Sequence, residues 1–158
     1  MKKSRMFTVI VLLLLLLVAV SVQAQSLRKG TVTVKVLVEG AAMHGTNGVT
    51  VNDQGLLYIA SAVGQEIVVM DPHNGKILER FGPDSGVVGP DDVVFGPDGS
   101  LYWTDIMSGE VGRRTPDGQV KKQYVDDFVN PLAFNEEGRL FVAQAFVGDA
   151  LYEVDPEL

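Results

Sequence analysis

Three residues with oxygen-bearing side chains, Asn47, Asp91 and Asn130, each open a short apolar run in this sequence. Carboxylate and amide oxygens are hard donors of the kind that Ca²⁺ and Mg²⁺ prefer in proteins. The same residue types also bond nearby backbone amides and so cap the loop that enters a strand. Their chemistry alone leaves both hypotheses open, contact with a cation or substrate and capping of a loop.

The three residues occupy equivalent positions in an internal repeat. The segments that begin at these residues align without gaps at offsets of 44 and 39 residues, and they read NGVTVNDQGLLYIAS, DDVVFGPDGSLYWTD and NPLAFNEEGRLFVAQ. Each segment reaches a glycine eight positions after its start and then enters a run that contains an aromatic residue. Further runs downstream, KILERF and QVKKQY, complete the first two units. Four short strands in about 40 residues are typical of one β-propeller blade.

The repeat therefore predicts an all-β fold, a β-propeller of four-stranded blades. The blade units cover residues 44–85, 86–127 and 128–158, within a partial propeller domain over residues 25–158. In a propeller the first strand of each blade lines the central channel, so the three equivalent residues would face one axis. About three blades are present, whereas a closed ring usually has four to eight.

The two ends of the repeat region suggest how the ring is completed. Residues 31–40, TVTVKVLVEG, alternate valines onto one face and predict a strand that corresponds to the fourth strand of a blade. The third unit stops at Leu158, where its own fourth strand would begin. We expect either a piece of a longer propeller or a homodimer in which each chain donates its first strand to the third blade of the other.

The N-terminus predicts export of the protein. Lys2, Lys3 and Arg5 precede an apolar stretch from Phe7 to Val20, and Val22 and Ala24 fit the cleavage rule, which is the layout of a cleaved signal peptide over residues 1–24. The alternative is an uncleaved anchor, but the apolar stretch is shorter than the roughly 18 residues that span a bilayer. Cleavage would remove three of the 13 basic residues and leave 10 against 20 acidic ones. Such a charge disfavours nucleic acid and anionic membranes and suits cations and neutral small-molecule substrates. We expect a periplasmic or extracellular location and no membrane attachment after cleavage.

The segment PDDVVFGPDGSLYWTD, from Pro90 to Asp105, resembles the motif of the senescence marker protein, gluconolactonase and luciferin-regenerating family of six-bladed propellers. The resemblance covers about residues 40–158, and Asp91 stands where the family usually has asparagine. It implies three blades of six and a divalent cation, often Ca²⁺ with Mg²⁺, Mn²⁺ or Zn²⁺ as alternatives. Its ligands would be Asn47, Asp91 and Asn130, and Asp92 would support them.

What the resemblance implies for function is an exported, metal-dependent hydrolase of a small lactone or ester. The alternative is a non-catalytic propeller, similar to NHL-repeat proteins, that binds a ligand or a protein partner. His44, three residues before Asn47, is a candidate general acid or base, or else a loop histidine bonded to backbone. Another set of equivalent positions follows the second strand of each unit, and its variety indicates a polar loop; it comprises Ser61, Asp105 and Gln144.

Overall fold

The computed structural model describes residues 34–40 and 42–158, so the predicted signal peptide lies outside the described residues. Within these ranges no helix has the length and apolar character needed to cross a membrane. All strands belong to the compact unit Leu37–Leu158. They are β1 (Thr46–Val51), β2 (Leu57–Ser61), β3 (Glu66–Asp71), β4 (Lys76–Phe81), β5 (Pro90–Phe95), β6 (Leu101–Asp105), β7 (Glu110–Arg114), β8 (Val120–Tyr124), β9 (Val129–Phe134), β10 (Leu140–Gln144) and β11 (Leu151–Val154), and a short 3₁₀ turn spans Pro83–Ser85.

The strands form three antiparallel sheets in which each strand pairs with its neighbour in sequence. Strands β1–β4 form blade 1, β5–β8 form blade 2, and β9–β11 form a three-stranded blade 3. The predicted all-β propeller architecture is therefore confirmed, and each aligned segment supplies the first two strands of its blade. The first strands β1 and β9 both pack beside β5. Gly48 near the start of β1 contacts Asp92 of β5, and Asp92 accepts the amide of Leu132 of β9, so the starts of all three strands lie at one end of the unit.

Alternating side chains along the strands of blade 2 build two separate apolar layers, because successive residues of a strand point to opposite faces. Trp103, 1% exposed, packs with residues of blade 1 that include Ile67 and Val69. The next residue back, Tyr102, packs instead with blade 3 against Leu140 and neighbouring residues. Blade 2 thus has a buried core on each side, and both cores hold neighbouring blades together.

An edge-to-face aromatic pair recurs between successive blades. Tyr58 of blade 1 meets Phe95 of blade 2 with ring centroids 4.9 Å apart, and Tyr102 of blade 2 meets Phe134 of blade 3 at 5.0 Å. The Tyr102 hydroxyl also donates to the carbonyl of Pro156 at 2.9 Å, and burial raises its pKa to about 12. The aromatic residue of the second strand thus packs against the next blade in blades 1 and 2. The third aromatic residue, Phe141, lies against the guanidinium of Arg139 instead.

A buried arginine adds an ionic contact between blades 2 and 3. The guanidinium of Arg113 donates to Asp98 Oδ2 and to Glu157 Oε2, each at 2.8 Å. Burial opposes ionisation of Asp98, but hydrogen bonds from Ser100 and Arg113 lower its pKa to about 2. Hydrogen bonds to the two carboxylates raise the pKa of Arg113. The ion pairs lie at the turn end of the blades, because Asp98 is in the β5–β6 turn.

The turn between the first and second strands repeats in all three blades. Gly55, Gly99 and Gly138 have φ values of 78°, 79° and 78°, a left-handed conformation that favours glycine. Asn52 Oδ1 accepts the amides of Gln54 and Leu56, which closes the first of these turns. The eight-residue spacing read from the sequence thus marks a real turn in each blade.

The strand predicted over residues 31–40 is wrong for the part of it that the structure describes. Residues 34–40 contain no strand, and Val34 and Val36 are 89% and 63% exposed. Alternating valines favour an extended segment, but a strand also needs an edge with which to pair, and a backbone edge is not encoded in the segment itself. Strand donation in a homodimer stays a prediction.

Candidate functional site

Each of the three candidate ligands lies in an irregularity of strand pairing. The β1–β2 register shifts between Thr46 and Val49, which encloses Asn47. The β5–β6 register shifts between Pro90 and Asp92, leaving Asp91 without a partner. In the third blade the shift encloses Asn130, between the paired residues Val129 and Leu132. Such bulges redirect a side chain out of the regular pleat and are frequent beside active sites.

Asp91 is a buried carboxylate without a partner. Its residue is 6% exposed, and Oδ2 is fully buried with no hydrogen bond. Among residues 34–40 and 42–158, neither carboxylate oxygen forms a hydrogen bond or an ion pair. A buried charge without compensation is costly, so native carboxylates in such positions normally face a cation or donor groups. Asp91 therefore has the environment of a ligand whose partner lies outside the described residues.

The two amide candidates flank Asp91 on the neighbouring strands. Asn47 is exposed and Asn130 is half-buried. In the described part of the chain, neither side chain forms a hydrogen bond; Asn130 contributes only its backbone carbonyl, which accepts the Thr104 hydroxyl at 2.6 Å. Capping of the entry loops, the alternative reading of these residues, is thus not the role that their side chains have in the structure.

The entry loops are held instead by the residues that end the second strands. The Ser61 hydroxyl donates to the His44 carbonyl at 2.7 Å and accepts the His44 amide at 3.1 Å. At the equivalent position Asp105 Oδ2 accepts the Val88 amide at 3.0 Å, and Gln144 Nε2 donates to the Asp127 carbonyl at 3.1 Å. His44, Val88 and Asp127 each lie three residues before a candidate ligand. Ser61, Asp105 and Gln144 differ in type but share one structural role, which is to bond the backbone of the entry loop. We call these three residues the latch.

His44 is held by its backbone, while its residue is exposed. The latch therefore fixes the loop that presents the imidazole, three residues from Asn47. Within the described ranges the imidazole itself forms no hydrogen bond, so the alternative of a ring bonded to backbone is absent there. The role of His44 as general acid or base stays a prediction.

Asp92 connects blade 2 to blade 3. Its Oδ2 accepts the amide of Leu132 on β9 at 3.1 Å, and its Oδ1 accepts the amide of Val93 at 2.9 Å. The Asp92 amide donates to the Thr104 hydroxyl, which in turn donates to the Asn130 carbonyl. Asp92 and Thr104 thereby fix the start of β9 against that of β5, which positions Asn130 relative to Asp91. Thr104 was not singled out by the sequence pattern.

Blade 1 approaches the same point through a glycine. A Cβ on Gly48 would lie 2.5 Å from Asp92 Cα and 3.0 Å from the Asp91 carbonyl oxygen, so no larger residue fits without displacement of the backbone. Asn47 precedes this glycine directly. The structure therefore brings the chain at Asn47, Asp91 and Asn130 together on three adjacent strands.

A second buried carboxylate lies beside the site. Asp105 is fully buried; its Oδ2 lies 3.6 Å from Lys122 Nζ, while its Oδ1 has no hydrogen bond. Lys122 also contacts Glu110 at 2.5 Å. Burial opposes ionisation of Glu110, but hydrogen bonds from Lys122 and Ser108 lower its pKa. Unlike Asp91, Asp105 has both a cation and a backbone amide to compensate its charge.

The donor set at the three strand starts is one carboxylate and two amides. Over the described residues, no three His, Asp or Glu side chains converge as a metal site. A cavity of about 730 Å³ lies elsewhere, at the opposite ends of the first strands between blades 1 and 2. Its lining includes Tyr58, Phe81 and Arg114 but none of the predicted site residues.

Comparison with known proteins shows the fold but no family. No protein-family model matches the chain, and no characterised protein matches it by sequence. Among solved structures, the Kuenenia stuttgartiensis hydrazine synthase matches with a TM-score of 0.63 at 19% identity, over 80% of this chain and 37% of that one. Virginiamycin B lyase from Staphylococcus aureus, with the H270A substitution and quinupristin, matches at 0.58 and 15% identity, over 83% and 47%.

A gluconolactonase-family protein matches with a TM-score of 0.52 at 23% identity, over 70% of this chain and 49% of that one. The chain thus spans less than half the length of these three structures. At such identities the likeness shows the β-propeller fold alone.

Proposed function

We propose that this chain contributes to a cation-dependent hydrolase of a small lactone or ester, with its site at the starts of the first strands. The single observation that carries the proposal is Asp91, a buried carboxylate with no partner in the described polypeptide. Structural likeness to a gluconolactonase-family protein supports the same reaction class.

The residues present fit a hard divalent cation. Asp91 would supply an anionic oxygen, and Asn47 and Asn130 would supply neutral oxygens from the strands on either side. The bulges leave these side chains outside the regular pairing, and neither amide is engaged in another hydrogen bond of the described structure. When bound, such a cation would polarise the substrate carbonyl and stabilise negative charge on its oxygen.

The remaining residues would position the ligands and move a proton. Asp92 and Thr104 hold β9 against β5, which would position Asn130 relative to Asp91. His44 would accept a proton from the attacking water as the water oxygen bonds to the carbonyl carbon. The bond between that carbon and the alkoxide oxygen would then break, and the protonated His44 would return its proton to the departing alkoxide. Ser61 supports this step by fixing the His44 backbone on both sides.

A binding propeller without catalysis is the second candidate. Exposed apolar residues on the loops at the same end favour it, because such surfaces commonly contact ligands or partner proteins. The structural neighbours include a lyase and hydrazine synthase, so the fold serves different functions and does not choose between the two candidates.

The test is calorimetric titration of Ca²⁺, Mg²⁺, Mn²⁺ and Zn²⁺ into the whole protein and its Asp91→Ala variant, with lactone and ester hydrolysis measured in parallel. We expect the variant to lose at least tenfold in cation affinity and to lose hydrolysis with it. Asp53→Ala is the matched control, because Asp53 is an exposed aspartate in the turn at the other end of β1. Equal affinity in wild type and Asp91→Ala would remove Asp91 from the site.

A further inference from the structure

Three large apolar side chains stand exposed at equivalent positions of the three blades. Val63, Met107 and Phe146 are 77%, 75% and 85% exposed. Each lies two residues after a latch residue, at the tip of the loop between the second and third strands of its blade. One exposed apolar residue would be ordinary, but the same choice at all three equivalent positions indicates a shared role.

Each of these side chains covers the loop that leads to a candidate ligand. A Cβ on Gly45 would lie 2.6 Å from Val63 Cγ2, and a Cβ on Gly89 would lie 2.4 Å from Met107 Cγ. In blade 3 the ring of Phe146 meets that of Phe128 edge to face, with centroids 6.4 Å apart. Gly45, Gly89 and Phe128 each precede a candidate ligand by two residues. The three apolar side chains therefore surround the end of the unit at which Asp91 is buried.

The aromatic pair of blade 3 is held at a conformational cost. Phe128 and Phe146 have φ values of 57° and 66°, a left-handed region that costs a residue with a side chain of this size about 1 kcal/mol or more. Two blades have glycine where blade 3 has Phe128. Burial does not compensate this cost, because Phe128 is 42% exposed and Phe146 is 85% exposed. Residues held in such a region at a cost cluster at active sites and ligand clamps.

We propose that Val63, Met107 and Phe146 form an apolar lip that contacts a hydrocarbon arm of the substrate. Resting on the proposed function, this assigns the substrate class as lactones or esters with an alkyl or aryl substituent, rather than polyhydroxylated sugar lactones. A sugar ring would need several hydrogen-bonding partners, and the side chains of the lip have none. An alkyl substituent, by contrast, should raise the affinity of the substrate for the lip by about fourfold for each methylene that is buried.

The experiment measures binding and hydrolysis of γ-lactones of increasing alkyl length by the full chain, with gluconolactone as the polar comparison. The variants are Met107→Ser and Phe146→Ser, and the control is Leu78→Ser, an exposed leucine on the outer strand β4. We expect each lip variant to weaken binding of the longest lactone at least fivefold while binding of the unsubstituted lactone and the melting temperature stay unchanged. Leu78→Ser should change neither affinity.

The outcomes separate the lip from the proposed reaction. If long lactones bind through the lip but are not hydrolysed, the hydrolase proposal fails and the lip stands. If lactones are hydrolysed in an Asp91-dependent manner with no dependence on alkyl length or on the lip residues, the lip is refuted and the hydrolase stands. Binding of gluconolactone in preference to alkyl lactones would refute the lip. So would absence of any lactone binding, or lip-dependent binding to phosphatidylcholine vesicles instead of lactones.

Discussion

Replacing Asp91 by asparagine should change the stability of the protein in opposite directions with and without a bound cation. The substitution keeps the shape of the side chain and removes its charge. In the structure Asp91 is 6% exposed and its Oδ2 has no hydrogen bond, so without a cation the carboxylate loses hydration and gains little in return. Asparagine at this position loses less hydration free energy because it is neutral.

The magnitude follows from these two states. Leaving a buried charged group unsatisfied costs about 1–3 kcal/mol or more, so Asp91→Asn in chelator should raise the free energy of unfolding by about 1 kcal/mol. In Ca²⁺ at about one hundred times its dissociation constant, the wild-type protein should gain about 2.7 kcal/mol, whereas the variant should gain much less. The order of stability therefore reverses between the two conditions.

Urea unfolding at neutral pH, in EDTA and then in excess Ca²⁺, measures both free energies. Asp105→Asn is the matched comparison, because Asp105 is also buried but accepts the Val88 amide and lies near Lys122. Loss of its charge should destabilise the protein in both conditions. If Asp91→Asn were the less stable protein in EDTA, or if Ca²⁺ stabilised it as much as wild type, the interpretation of Asp91 as an uncompensated ligand would be incorrect.

Two further predictions concern the contacts between blades 2 and 3. Asp92→Ala removes the acceptor of the Leu132 amide and should cost about 1–3 kcal/mol in urea unfolding, together with weaker cation affinity; an unchanged unfolding midpoint would contradict this role. Asp98→Asn tests the contact with Arg113. The pKa of Asp98 lies at about 2 in the folded protein, below its ordinary 3.8, so the ionised carboxylate stabilises the fold above about pH 4 and loses that effect as the pH falls toward 2. The variant should be less stable than wild type at neutral pH, with a difference that shrinks over this interval; a constant difference would refute the assignment.

Much of the fold could be predicted from the sequence because the repeat specifies it three times. The glycines eight residues after Asn47, Asp91 and Asn130 are demanded by a left-handed turn, and their spacing therefore fixes where the first strand ends and the second begins. Two of the aromatic residues that follow, Tyr58 and Tyr102, pack against the next blade, which gives this part of the pattern its structural cause. Both signals depend on local backbone geometry and on contacts between adjacent units, so they survive in the sequence as a period.

The parts that were missed depend on pairing between distant segments. Residues 34–40 alternate apolar side chains as a strand does, yet strand formation requires an available edge, which is a property of another part of the fold. Threonine is common in strands, so nothing in the sequence indicated that the Thr104 hydroxyl links the Asp92 amide to the Asn130 carbonyl. Equivalence in the repeat predicted that the three candidate ligands lie on adjacent strands. It did not predict that Asp91 is buried whereas Asn47 is exposed and Asn130 is half-buried.

The latch has a consequence for how such propellers diverge. One chain uses a hydroxyl, a carboxylate and a carboxamide for the same task. Ser61 and Asp105 accept a hydrogen bond from a backbone amide, and Ser61 and Gln144 donate one to a backbone carbonyl. The position therefore requires only a polar side-chain atom within hydrogen-bond distance of the entry-loop backbone. A scaffold that accepts three residue types at this position can change its sequence there while the loop stays attached to the second strand, in keeping with the 15–23% identity at which this chain matches solved propellers.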